Sequence, residues 1–242
     1  NKKSRIAALN HGYSHSEGKI IKCIDSDDKL HDSFFKYIKK LKKFDAHCHN
    51  ASIGNENLQK IVSYTFNPAI LKKEKNYLIE NMISSPRWAW SFNKSIAKKI
   101  FPIPENLFAE DFWFTFIIKS HARSIYHINE DLYTYRQHNE NEWGGVINFS
   151  KEIMTQRSKW LINEIDELKK LNKQLGVTVE VFSKSYIYHK ALLQRKSISQ
   201  IILLKISIIY RLKLILIIYF PKIASKIIKL KWLIDRMRLI VL

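Results

Sequence analysis

Up to residue 145 the apolar positions of this chain come in short runs separated by polar turns, and beyond it they form longer stripes at helical spacing. Residues 19–24 read as a short buried strand: Ile20, Ile21, Cys23 and Ile24 are apolar, and the run stops on Asp25-Ser26-Asp27-Asp28. Residues 32–43 read as a helix with Phe34, Phe35, Ile38 and Leu41 on one face and lysines opposite. A second short strand is expected over 44–49, and an amphipathic segment of open type over 58–65. Pro68 suits the first turn of a helix over 69–82. Residues 112–122 have the length and apolar content of a mostly buried helix, followed by extended chain at 124–128 and an alternating strand over 132–138.

After Gly144-Gly145 a long helix is expected over 150–175, with Trp160, Ile165, Leu168 and Leu171 in its stripe and Gly176 as its stop. Residues 177–181 alternate like a strand, and 186–195 lean helical. The last part, 198–242, is dense in Ile and Leu and is divided by Pro221. Lys205, Arg211 and Lys213 interrupt it. No uncharged run there approaches the ~20 residues a spanning helix needs.

Composition narrows the classes. With 46% hydrophobic and 12% aromatic residues the chain can bury a real core, so wholesale disorder is excluded. Two cysteines, Cys23 and Cys48, do not make a disulfide framework and suit a reducing cytoplasm. No signal peptide is evident at the first residue, Asn1. The net charge of +19 raises nucleic acid as a partner, but the excess is concentrated. Residues 190–242 hold twelve Lys/Arg against one acid, Asp235, inside an apolar tail. That placement points to an anionic membrane surface rather than to nucleic acid. The alternative is a helix pair packed on a partner such as a second copy of the chain.

The candidate chemistry is acidic. Asp25, Asp27 and Asp28 at a strand end can be a solvated turn, or can hold a divalent cation on a diphosphate. Glu110 and Asp111 open the apolar run at 112–122, where acids also suit the helix dipole. Trp88 and Trp90 lie two residues apart and read either as core or as an aromatic wall for a sugar ring. His47-Cys48-His49 has no second ligand pair at zinc-site spacing. Arg136 and His138 close the strand over 132–138, as phosphate or metal contacts or as surface residues.

The order of these words resembles the donor-binding half of family 2 glycosyltransferases with the GT-A fold. Arg5, the AALNHG run with Asn10, the turn at Gly18, an apolar strand and DSDD carry the first half. The second is ED followed by an aromatic helix, an extended segment and LYTYRQH. The likeness covers roughly residues 1–140 and implies an α/β fold, a Rossmann-like mixed sheet flanked by helices, followed by an α-helical C-terminal region. It implies inverting transfer of a sugar from a nucleotide-sugar donor to a glycan or lipid-linked hydroxyl, of the surface-glycan kind. By the same resemblance Arg5, Asn10, Asp25 and Asp28 lie at the donor. Asp25, Asp27 and His138 hold Mn or Mg. Asp111 is the general base with Glu110 beside it, and Trp88 and Trp90 meet the acceptor. The family's first strand and helix have no counterpart ahead of Arg5, so an N-terminally truncated chain is expected. The domains expected are 1–145 catalytic, 146–197 a helical extension, and 198–242 basic amphipathic helices on the inner face of the cell membrane. The competing expectation is a catalytically silent, membrane-associated binding subunit.

Overall fold

The computed structural model describes residues 5–137 and 151–238. It divides into two compact units, 1–145 with 174–176, and 146–173 with 177–242. The first is mixed α/β and the second is helical.

The first unit holds a six-stranded mixed sheet. Its strands are β1 (Ile20–Lys22), β2 (Lys29–Leu30), β3 (Ala46–Gly54), β4 (Lys60–Tyr64), β5 (Trp90–Asn93) and β6 (Ile125–Arg136), in the order β1-β5-β3-β6-β2 with β4 on β3. β3 and β6 run parallel, with Cys48 opposite His127, and every other pairing is antiparallel. The central strand β3 is buried along nearly its whole length, so both faces are covered. Small residues allow this. A Cβ on Gly54 would sit 2.9 Å from Thr134 Cγ2 and 3.1 Å from the Leu58 backbone, too close for any side chain.

Among the described residues six helices accompany the sheet: α1 (Arg5–Ser14), α2 (Ile38–Leu41), α3 (Pro68–Lys72), α4 (Lys75–Glu80), α5 (Lys94–Ile100) and α6 (Glu110–His121). α6 forms where a buried helix is expected, with Trp113, Phe114, Phe116, Ile117 and Ile118 all buried and Trp113 Nε1 donating to Ile100 O at 2.8 Å.

Several local expectations are revised. The segment 32–43 is a 3-10 turn at Asp32–Tyr37 leading into α2, with Phe34 buried and Phe35 57% exposed, so the stripe is narrower than a full helix face. The helix expected over 69–82 is two helices, because Lys73 and Glu74 are extended and break the ladder. The open segment at 58–65 contains β4. α5 is a helix its local pattern does not announce; Asn93 caps it by accepting from Ile96 N at 3.0 Å.

The second unit contains α7 (Lys151–Lys170), α9 (Ser183–Leu193), α10 (Ile198–Ile202), α11 (Ile208–Tyr219) and α12 (Pro221–Arg238), and the short α8 (Asn172–Leu175) is divided between the two units. Gly176 adopts φ +61 just after α8, the left-handed stop its position suggests. The strand expected over 177–181 is instead a 3-10 turn, Val179–Phe182. A strand needs a partner, and the second unit has none among the described residues. Ala191 and Leu192 of α9, Ile201 of α10, Ile206 just before α11 and Leu214 of α11 share one apolar core. No helix of the described residues is long and apolar enough to cross a membrane.

Candidate active site

The two acidic motifs meet on an arginine. Arg87 lies in a 3-10 turn, Arg87–Ala89, that follows Pro86 and leads into β5. Its side chain is 7% exposed. One guanidinium nitrogen pairs with Asp25 just beyond β1, and Nη1 donates to Glu110 Oε1 at 2.7 Å. The other Glu110 oxygen accepts from Arg5 Nη2, also at 2.7 Å. The result is a row of alternating charges, Asp25, Arg87, Glu110, Arg5. Glu110 is 1% exposed, and a carboxylate so buried is tolerable because two guanidiniums flank it.

Asp111 stands beside that row. The Arg87 backbone N–H donates to its Oδ1 at 2.8 Å. Burial, then repulsion from Glu110, push its carboxyl up from 3.8 to about 6, against the opposing pull of Arg87. Both lie in the first turn of α6, where Glu110 is buried and Asp111 is half-buried.

Asp28 is held differently. It accepts from Tyr133 Oη at 2.7 Å and from Arg136 N at 2.7 Å, and burial raises its carboxyl above the ordinary value despite both bonds. Tyr133 Oη also accepts from Asp25 N at 3.2 Å. The neighbouring Tyr135 phenol is raised, first by burial and then by the negative charge of Asp28, Asp27 and Asp111.

A cavity of about 600 Å³ opens along α1 and β1. Arg5, Asp25 and Arg87 line it together with Gly12, Tyr13 and Phe101. Tyr13 and Phe101 stack at 4.3 Å with planes 11° apart. A Cβ on Gly12 would meet nothing within 4 Å, so that wall has spare room. The cavity thus has aromatic and charged lining side by side.

The remaining expected site residues fall as follows. Asn10 closes on the backbone of Ile103, donating to its O at 2.9 Å and accepting from its N at 2.7 Å. That amide shapes the loop beside α1. Trp90 has no exposed surface and packs edge-on against Phe66 at 5.0 Å, which corrects its reading as an acceptor wall: no face is left for a sugar. Trp88 is 6% exposed, flat against Tyr133 at 5.1 Å and near Tyr135 at 6.0 Å, so it too is packing under the site. The two do not share one extended segment, since Trp88 is in the 3-10 turn and Trp90 starts β5. His138 lies outside the described residues.

Asp25 is turned to Arg87, and both oxygens of Asp28 take hydrogen bonds from Tyr133 and Arg136. Among the described residues no group of three His, Cys, Asp or Glu side chains is arranged to hold a metal ion. His49 bonds Asn50 O through Nδ1 at 2.7 Å and Lys22 Nζ through Nε2 at 2.7 Å, and Cys48 is buried.

Arg87 is the residue that the sequence reading passed over. Its signal was there: a lone charge in Ser-Ser-Pro-Arg-Trp-Ala-Trp, an otherwise uncharged run with two tryptophans, has to find a buried partner. Lys22 is a second such case. Burial lowers it to about 7, and it sits between the Phe34 and Tyr133 rings with His49 and the Trp88 and Trp90 carbonyls as acceptors.

No family model matches the sequence, and no curated protein matches it. Among solved structures the chain is similar to the crystal structure of S. aureus TarS, at 14% sequence identity and a TM-score of 0.39. The likeness covers 91% of this chain and 40% of that one, so the chain spans less than half of that protein's length.

Proposed function

We propose that the first unit is a glycosyltransferase of the GT-A kind, moving a sugar from a nucleotide donor to an acceptor hydroxyl with inversion at the anomeric carbon. The observation that carries this reading is Arg87. It brings the carboxylate after β1 and the acids at the start of α6 into one row, beside a cavity of nucleotide size. In this arrangement the base of the donor lies against Tyr13 and Phe101, with room left at Gly12. Its diphosphate lies toward Arg5 and Arg87, whose guanidiniums suit phosphate oxygens.

Asp111 is the base. A carboxyl at about 6 is mostly ionised at neutral pH and still basic enough to share a proton. It takes the proton of the acceptor hydroxyl as that oxygen bonds to the anomeric carbon. The bond from that carbon to the diphosphate oxygen breaks, and the electron pair leaves with the diphosphate. Tyr135, half-buried and stacked on Trp88 at 6.0 Å, is the residue we assign to the acceptor in the role expected of the tryptophans. We place this activity on a surface glycan or lipid-linked acceptor in the cytoplasm.

A second reading has one observation in its favour: with Asp25 tied to Arg87, a donor-binding subunit without turnover would need nothing more. Titration of nucleoside diphosphates into the full chain, with and without manganese, followed by assay of nucleotide-sugar turnover, separates the two. Binding with transfer supports the enzyme, and binding without transfer supports the silent subunit. A folded chain that binds no nucleoside diphosphate under either condition removes both.

A further inference from the structure

We infer that the second unit docks on an anionic lipid surface through the outward faces of α11 and α12, lying along it without crossing. Each of these helices has one side turned to its neighbours and one left open. Leu214 and Ala224 are buried, whereas Ile208, Ile209 and Leu212 of α11 are exposed at 70%, 61% and 56%. On α12 the open positions are Ile223, Ile227 and Leu230, spaced four and three apart, which is one face of a helix. At the turn between α10 and α11, Leu203 is 81% exposed. Singly exposed apolar residues are ordinary, but ordered stripes on two successive helices are not.

The charge around the stripes selects the occupant. Lys213, Lys222 and Lys226 are exposed on the same two helices. The whole stretch 190–242 carries twelve Lys/Arg and only Asp235 as an acid. A second copy docking through this face would bring like charge against like charge. Nucleic acid would satisfy the lysines and leave the isoleucines in water. An anionic leaflet satisfies both, since the stripe enters the headgroup boundary while lysine stems reach back to phosphates. α11, with 12 residues and about 18 Å of helix, is too short for ~30 Å of hydrocarbon, and among the described residues no helix is long and apolar enough to cross a membrane.

This inference does not rest on the sugar-transfer reading, and its test reads no turnover. The full chain is floated with vesicles of phosphatidylcholine alone or with about 30% phosphatidylglycerol, at low and high salt. Affinity for the anionic vesicles should exceed that for neutral ones by tenfold or more, and should fall as salt shortens the Debye length from ~10 to ~3 Å. Lys213→Gln with Lys222→Gln and Lys226→Gln should lose roughly 100-fold on anionic vesicles. Ile209→Ser with Leu212→Ser, Ile223→Ser and Ile227→Ser should lose binding with every lysine kept. All seven positions are exposed, and circular dichroism checks that each variant folds. Equal binding to both vesicle types, unchanged by the lysine variant, overturns the anionic surface. A monomer that floats with neither overturns the docking itself. A chain that ignores vesicles but self-associates, and stops doing so in the serine variant, assigns the face to a second copy.

Discussion

The Arg87 backbone N–H donates to Asp111 Oδ1 at 2.8 Å while the same residue's side chain spans Asp25 and Glu110. One turn between Pro86 and β5 therefore sets both the orientation of the proposed base and the charge balance of its neighbours.

Removing Arg87 strands Glu110. Arg87→Met leaves a carboxylate that is 1% exposed with only Arg5 to pair it, and should cost about 3–5 kcal/mol of stability. Adding Glu110→Gln should return much of that loss, because the stranded charge is then gone. Denaturant melts of the four proteins of this cycle measure the coupling. Additive losses would mean that the pair does not act as one unit.

Asp111→Asn keeps the oxygen that accepts from Arg87 N and removes the proton acceptor. Turnover should fall ~10²–10⁴-fold with donor affinity unchanged. In the parent chain kcat/KM should rise with pH and level off above about 6, since the charged form is the base. The stability contribution runs the other way. The folded carboxyl is raised above its ordinary 3.8, so its contribution is present below that pH and lost as pH rises through about 6. Rate profiles and melts of parent and variant between those limits check both signs.

Gly12→Leu should plug the cavity without disturbing α1. The new Cβ meets nothing within 4 Å, and leucine favours a helix more than glycine does. Nucleoside diphosphate affinity, read by calorimetry, should fall tenfold or more while the melting temperature holds or rises. Unchanged affinity would move the nucleotide out of this cavity.

The divalent cation expected at Asp25 and Asp27 has Arg87 as a competitor. If a cation binds there, the guanidinium must release Asp25, so manganese should bind Arg87→Gln roughly tenfold or more tightly than the parent chain, the scale of one charged hydrogen bond. Asp25→Asn should bind it no better than background. Equal manganese affinity in all three proteins would remove Asp25 as a ligand.

Much of the fold was legible. The apolar run at 20–24, the aromatic run at 112–118 and the stripes beyond residue 150 are local periodicities, and each produced the expected kind of element. The failures are also local in origin. Two alternations at 177–181 are too few to tell a strand from a 3-10 turn, and nothing in 69–82 announces the extended pair Lys73-Glu74. Trp88 and Trp90 read equally well as wall or core, because only burial separates those roles.

The candidate site divides along the same line. By itself the sequence determined that acids stand at a strand end and at a helix start, since both positions follow from short-range pattern. Only the tertiary structure decided that these acids share a guanidinium. Arg87 lies 62 positions from Asp25 and 23 from Glu110, and Arg5 reaches Glu110 across 105. No period in the chain encodes such pairs. They form because packing brings buried charges within reach of one another, where an unpaired charge costs several kcal/mol.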